Sequence, residues 1–222
     1  MFCRAACFLM LVLYAGFAEA GLDIYIVRHA QTLSNATGVK DKRSDSTFSE
    51  EGAVQIERLT GELLRLNFDA VLVSPTERTL RTVFPYLKKS DRNAIVWPEI
   101  TECCWQEARM EGEAGQLLTS GALQLPSDIE SQFSFRDESS VFKYANRNYA
   151  DGVAQIRQAV SLLKANYSGK TVLIVTHHHA GGVLMSQLLG VARDSLPGLE
   201  NARLAHLREL PDGRFKLLTI NE

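Results

Sequence analysis

Three apolar runs, each breaking off into polar or charged residues, organise this chain. Ile24-Tyr-Ile-Val27 runs into Arg28-His29, Ala70-Val-Leu-Val73 into Ser74, and Thr171-Val-Leu-Ile-Val-Thr176 into His177-His178-His179. Short continuous apolar runs of this kind read as buried parallel strands, and residues 94–97 form a shorter one. Between them the period becomes helical. Ser49-Glu50-Glu51 has the hydroxyl N-cap and early acids of a helix start, and Ala53, Ile56, Leu59 and Leu63 recur behind it at helical spacing. Ser74-Pro75-Thr76-Glu77 reads as a capping box with proline at the first helical position. That puts Arg78 in the first turn of a helix, just past a strand's carboxyl end. Val153, Ile156, Val160 and Leu163 mark a further helix, and Ala180-Gly181-Gly182 opens another that runs through Leu189 and stops at Gly190. Residues 203–210 and 214–220 flank Pro211-Asp212-Gly213, a hairpin signal. Residues 102–148 lack clean periodicity, so a lid-like specificity excursion with broken helices is expected over about 105–150. The alternation of strands and helices predicts an α/β fold: a three-layer α/β/α sandwich with a mostly parallel central sheet, ending in a C-terminal hairpin.

Composition narrows the class. With 222 residues, 45% of them hydrophobic, the chain can build one domain with a sizeable core. Its formal net charge of −2 argues against a broad nucleic-acid footprint, so any cationic pocket must be local. The start of the chain reads differently from the rest. Arg4 supplies a short basic region, residues 6–17 are apolar, and Ala18-Glu19-Ala20 is a small-x-small cleavage site. The apolar run is shorter than the roughly 20 residues of a spanning helix. A signal peptide over residues 1–20 is therefore expected, with export to the periplasm or exterior after cleavage near Ala20 and residues 21–222 as the domain. The alternative is a retained membrane tether.

Cleavage would remove Cys3 and Cys7 and leave Cys103 beside Cys104. Neighbouring Cα atoms sit about 3.8 Å apart, under the usual disulfide range of roughly 4.4–6.8 Å, so two free thiols are expected. The triple histidine is not a metal cluster, because consecutive side chains leaving a strand point to alternate sides. Neither metal nor cofactor is expected.

The chemistry lies at the strand ends. In open α/β sheets ligands bind at the carboxyl edge, and there the sequence delivers Arg28-His29, Arg78 and His177. Two guanidiniums and two imidazoles suit a phosphoryl group: the cations pair with its oxygens, and an imidazole can attack phosphorus. Glu102, just after the short strand and beside Cys103, Cys104 and Trp105, has a setting that would raise a carboxyl pKa towards the protonated acid a leaving group needs. Glu99 and Glu107 lie close enough to compete for that role.

These motifs resemble the histidine phosphatase superfamily, in the branch named after cofactor-dependent phosphoglycerate mutase. Its Leu-x-x-Val-Arg-His-Gly-Glu-Thr-x-x-Asn opening is similar to Ile24-Tyr-Ile-Val-Arg-His-Ala-Gln-Thr-Leu-Ser-Asn35. Its Leu-Thr-x-x-Gly segment resembles Phe48-Ser-Glu-Glu-Gly52, its Ser-x-x-x-Arg-x-x-x-Thr resembles residues 74–82, its Leu-x-Glu resembles Ile100-Thr-Glu102, and its Val-Ser-His-Gly resembles Val175-Thr-His-His178. The resemblance implies a metal-independent phosphomonoester hydrolase. His29 would be the nucleophile. Arg28, Arg78 and His177 would hold the phosphoryl oxygens, Asn35 would bond them from the following loop, and Glu102 would be the proton donor. The expected partner is a small phosphorylated substrate.

The departures are Ala30 and Gln31 in the opening motif, His178 in place of a glycine, and Cys103-Cys104-Trp105 beside the acid. His178 would touch substrate or add a titratable group. Two alternatives stay open on the same fold. A phosphomutase normally carries a basic loop after the acid, where this chain has the net acidic Gln106-Glu-Ala-Arg-Met-Glu111. An inert phosphoryl-binding module would not need to keep both histidines, both arginines and the acid. The acid-phosphatase branch fits less well, since its Arg-His-Gly-x-Arg-x-Pro and His-Asp signatures are absent.

Overall fold

The computed structural model describes residues 21–104, 124–136 and 148–222. Its seven strands are β1 (Asp23–Arg28), β2 (Ala70–Val73), β3 (Ala94–Val96), β4 (Phe133–Phe135), β5 (Thr171–Thr176), β6 (Leu204–Glu209) and β7 (Phe215–Ile220). They form one sheet in the order β4-β3-β2-β5-β1-β6-β7. Strands β1 to β5 run parallel, and the C-terminal hairpin joins antiparallel through β6 on β1. The fold is the expected mostly parallel α/β sandwich.

The apolar runs are continuous because both faces of the sheet are covered. Ile24, Ile26, Leu72, Val172 and Ile174 point into a core shared with Ile156, Leu163 and Leu184. Their chain neighbours Val27, Val71, Val73, Leu173 and Val175 point into a second core with Leu59, Leu63, Val83 and Leu87. The first core belongs to helices α5 (Tyr149–Asn166) and α6 (His178–Leu189), the second to α3 (Glu50–Leu63) and α4 (Glu77–Ser90). Two short helices, α1 (Leu33–Thr37) and α2 (Lys42–Ser46), follow β1.

Ser49 caps α3 as expected, its Oγ accepting from Gly52 N at 3.0 Å. Ala53 is exposed, however, because the buried face turns through Gly52, Gln55, Leu59 and Leu63. Gly52 has to be small there. A Cβ would stand 2.1 Å from the Gln31 carbonyl oxygen, in the loop after His29.

Three expectations need correction. Helix α4 begins two residues later than a cap at Ser74 would give: Thr76 is its N-cap and Pro75 lies outside. Ser74 instead turns its Oγ to His177 Nε2 at 2.7 Å. The excursion is not all lid. Within it residues 124–136 lie against the sheet, where β4 adds an edge strand, Ile129 and Phe133 enter the second core, and Asp128 takes a bidentate pair from Arg81. Finally, Cys103 and Cys104 are not free thiols but a vicinal disulfide. Cys104 adopts a left-handed backbone, φ 67°, that the separation argument did not consider. The pair packs on α5 at Gly152, where a Cβ would stand 2.7 Å from Cys104 Sγ.

Candidate active site

Strand β1 ends at Arg28, and the next residue is His29, only 4% exposed. The His29 Nδ1 lies 2.9 Å from the Ala30 carbonyl oxygen, which can only accept, so Nδ1 carries the proton and donates it. Nε2 is left as a bare lone pair. Burial, then the positive charge of Arg78, hold the ring's pKa well below the ordinary histidine value, while the Ala30 bond works the other way. His29 is thus a neutral imidazole with a defined tautomer. Thr82 steadies the turn behind it, accepting from Ala30 N at 3.0 Å and donating to the Arg78 carbonyl at 2.6 Å.

The rest of the constellation converges as expected. The rings of His29 and His177 meet edge to face, centroids 5.3 Å apart. The Arg78 Nε donates to His177 Nδ1 at 3.3 Å. Arg28 donates from Nη1 to the Leu199 carbonyl at 3.1 Å, and its buried Nε has no hydrogen-bond partner among the described residues. A buried guanidinium N–H left unpaired is costly unless an anion takes it. Both guanidiniums are less basic than usual through burial, offset by the nearby Glu102 charge.

Glu102 is 8% exposed and sits where helix α6 begins. Its Oε1 accepts from Ala180 N at 3.0 Å, His179 N at 3.1 Å and Cys103 N at 3.3 Å. No hydrogen bond among the described residues engages Oε2, so a proton on this carboxyl belongs there. Burial raises the pKa above the ordinary value; the Ala180 amide and then Arg78 and Arg28 oppose it. This is the direction required of a proton donor. Of its competitors, Glu99 is paired with Arg136 at 2.9 Å, and Glu107 lies outside the described residues, as does Trp105.

Asn35 occupies the third position of α1. There its Oδ1 accepts from Thr32 N at 3.2 Å, while Thr32 Oγ1 accepts from Asn35 N, a reciprocal capping box. Since Oδ1 is the acceptor, Nδ2 is the atom available to an incoming oxygen. His178, at the motif position of a glycine, is half-buried and turns its side chain towards the loop before β6. Its ring rests against Gly198, and its Nδ1 donates to Leu199 O at 3.1 Å, the same carbonyl that Arg28 uses.

One site residue escaped the sequence reading. Asn201 bridges to Arg28 in parallel, and its Nδ2 donates to the His29 carbonyl at 2.8 Å and to Asn35 Oδ1 at 3.3 Å. It ties the nucleophile's backbone to the Asn35 amide. Its isolated bridge to Arg28, before β6 begins, is a long-range contact that no spacing in the sequence shows.

A buried imidazole in the field of two guanidiniums, with a buried carboxyl near them, lies at the carboxyl edge of this sheet, an arrangement chemically suited to an anionic phosphoryl group. The sequence profile of the histidine phosphatase superfamily (branch 1) matches residues 24–222, and the chain belongs to that family. Among its relatives, a probable phosphatase of Schizosaccharomyces pombe is 29% identical over 36% of this chain and 38% of its own length. An adenosylcobalamin/alpha-ribazole phosphatase of Salmonella typhi is 25% identical over 79% of this chain and 83% of that protein. A probable phosphoglycerate mutase of Erwinia tasmaniensis is 27% identical over 77% and 76%. The solved structure of a mycobacterial glucosyl-3-phosphoglycerate phosphatase shares the fold, with a TM-score of 0.62 and 20% identity over 90% of this chain and 98% of that one.

Proposed function

We propose that this protein is a metal-independent phosphomonoester hydrolase acting through a phosphohistidine on His29. The observation that carries the reading is the His29–Ala30 hydrogen bond, which fixes the tautomer and leaves Nε2 as the attacking atom. Arg28 and Arg78 neutralise the phosphoryl oxygens, and His177 stands beside them. Charge stabilisation of this kind supplies most of the catalysis in phosphoryl transfer. Nε2 attacks phosphorus as the ester oxygen leaves in line, and Glu102 gives that oxygen the proton from Oε2. The resulting carboxylate then takes a proton from water as the water attacks phosphohistidine, restoring His29 and releasing inorganic phosphate. The test is turnover of an aryl phosphate in excess chelator, and its loss in His29→Ala. Activity restored only by added metal would refute the reading.

The Erwinia relative favours a second reading, a phosphomutase. The net acidic segment after Glu102 speaks against it, because a mutase acting on phosphoglycerate must hold a substrate carboxylate. Incubation with 3-phosphoglycerate separates the two: hydrolysis releases inorganic phosphate, and mutase action yields the 2-phospho isomer. The Salmonella relative supports a small phosphorylated substrate.

Export after cleavage near Ala20 is part of the same proposal. In support, Gly21 packs on the Glu209 carbonyl and Leu22 is fully buried, and a cut before Gly21 keeps both residues in the chain. A disulfide at Cys103–Cys104 also suits an oxidising compartment. N-terminal sequencing of exported protein should begin at Gly21, and a start at Met1 in membranes would favour the tether.

A further inference from the structure

The loop that carries Glu102 is irregular, and side chains from two other elements hold it. After β3 the chain makes a single 3₁₀ turn, Pro98–Ile100, in which Ile100 N donates to Trp97 O and Thr101 N to Pro98 O. The next three carbonyls, of Glu99, Ile100 and Thr101, take no backbone amide among the described residues. All three residues are buried, so their carbonyls need another donor. Gln155 of α5, itself buried, donates from Nε2 to Glu99 O at 3.1 Å and to Thr101 O at 3.0 Å. Both partners can only accept, which settles the orientation of the amide. Thr176, at the end of β5, donates from Oγ1 to Ile100 O at 2.7 Å. One turn before Gln155 on the same face of α5, Gly152 seats Cys103 and Cys104, the two residues just past the acid.

We propose that Gln155 and Thr176 are positioning residues for the general acid: by fixing three consecutive carbonyls they set the backbone from which Glu102 reaches the start of α6. The far end of the side chain is held separately, by the His179 and Ala180 amides on Oε1. Both amides lie in the first turn of α6, where an N–H has no partner within the helix. Oε2 therefore keeps one place in the site only while loop and helix keep their spacing. An error of about 1 Å in a reacting group can cost roughly 10²-fold in rate. That Glu102 is the acid rests on the function proposed above, but the hold of the loop on its side chain does not.

The experiment compares Gln155→Leu and Thr176→Val with the parent on one alkyl and one aryl phosphate. Gln155→Leu should lose roughly ten- to a hundredfold in kcat/KM on the alkyl phosphate and little on the aryl phosphate, whose leaving group needs no proton. Thr176→Val keeps the shape of its side chain and should lose less, with the same bias; it decides the matter if Gln155→Leu does not fold. Equal losses on both substrates, or none, would overturn the proposal. Amide hydrogen exchange supplies a readout that needs no turnover. In either variant the His179 and Ala180 amides should exchange faster relative to those of Leu173 and Ile174 in the buried middle of β5, which follow overall stability. An unchanged ratio would equally overturn it. If Glu102→Gln itself slows both substrates alike, the acid reading fails, while the exchange ratio still decides whether Gln155 and Thr176 hold Glu102 in place.

Discussion

Replacing Glu102 by glutamine separates the two things this residue does. Its Oε1 receives the Ala180, His179 and Cys103 amides at 3.0, 3.1 and 3.3 Å, and a glutamine Oε1 accepts all of them. The cap on α6 therefore survives, and the variant's melting temperature should stay close to that of the parent. What glutamine cannot do is hand a proton to a departing alkoxide, because its amide nitrogen stands where Oε2 stood. General acid help is worth roughly 10²- to 10⁴-fold where the leaving oxygen needs a proton, which at about 1.4 kcal/mol per tenfold is about 3–5 kcal/mol of barrier. Glu102→Gln should accordingly lose that much kcat/KM on alkyl phosphates. On aryl phosphates, whose leaving groups depart as stable anions, the loss should stay within about tenfold. The pH profile gives a second reading of the same chemistry. Burial raises the pKa of this carboxyl, so the parent's alkyl-phosphate rate should fall as pH rises through the raised value, with no such limb for aryl phosphates. Equal losses on both substrate types would refute the assignment and leave Glu102 as only the cap of a helix.

Two further predictions concern packing and pH. Gly152→Ala would set a Cβ 2.9 Å from Cys104 N and 3.1 Å from Cys103 Cβ; contact with backbone cannot be relieved by a rotamer, so thermal melting should drop by several degrees, the scale of about 1–3 kcal/mol of overpacking, and an unchanged melting temperature would contradict the packing described. His29 and His177 both have pKa values held well below the ordinary 6.5, chiefly by burial. Below 6.5 the unfolded chain then binds more protons than the folded one, so stability should fall as pH drops beneath that value. The double variant His29→Phe/His177→Phe should lose most of that acid limb in denaturant titrations, and an unaltered limb would place the titrating groups elsewhere.

Much of this site was legible because its strands are buried on both faces. Runs such as residues 24–27 and 171–176 stay apolar without alternation, and an abrupt change to arginine or histidine marks the carboxyl edge directly. Arg28, His29, Arg78, Glu102 and His177 follow from those edges. The parts that escaped depend on long-range register or on backbone conformation. Asn201 meets His29 and Asn35 through an isolated bridge to Arg28, a contact between residues far apart in the chain. Ser74 looked like a cap by spacing, yet a buried imidazole was the stronger claim on its hydroxyl. The disulfide at Cys103–Cys104 depends on a positive φ at Cys104 that a non-glycine residue does not advertise. Strand β4 has three residues, one of them the exposed Ser134, too few to show a period.

The central claim is that His29 Nε2 becomes covalently phosphorylated. Rapid acid-free quenching of the protein with a phosphorus-32-labelled substrate, followed by peptide mapping, tests it most directly. The mechanism gives a phosphopeptide containing His29, labile to acid and stable to base, that is absent from His29→Ala together with turnover. A variant that keeps normal turnover, or label that maps to another residue, would contradict it.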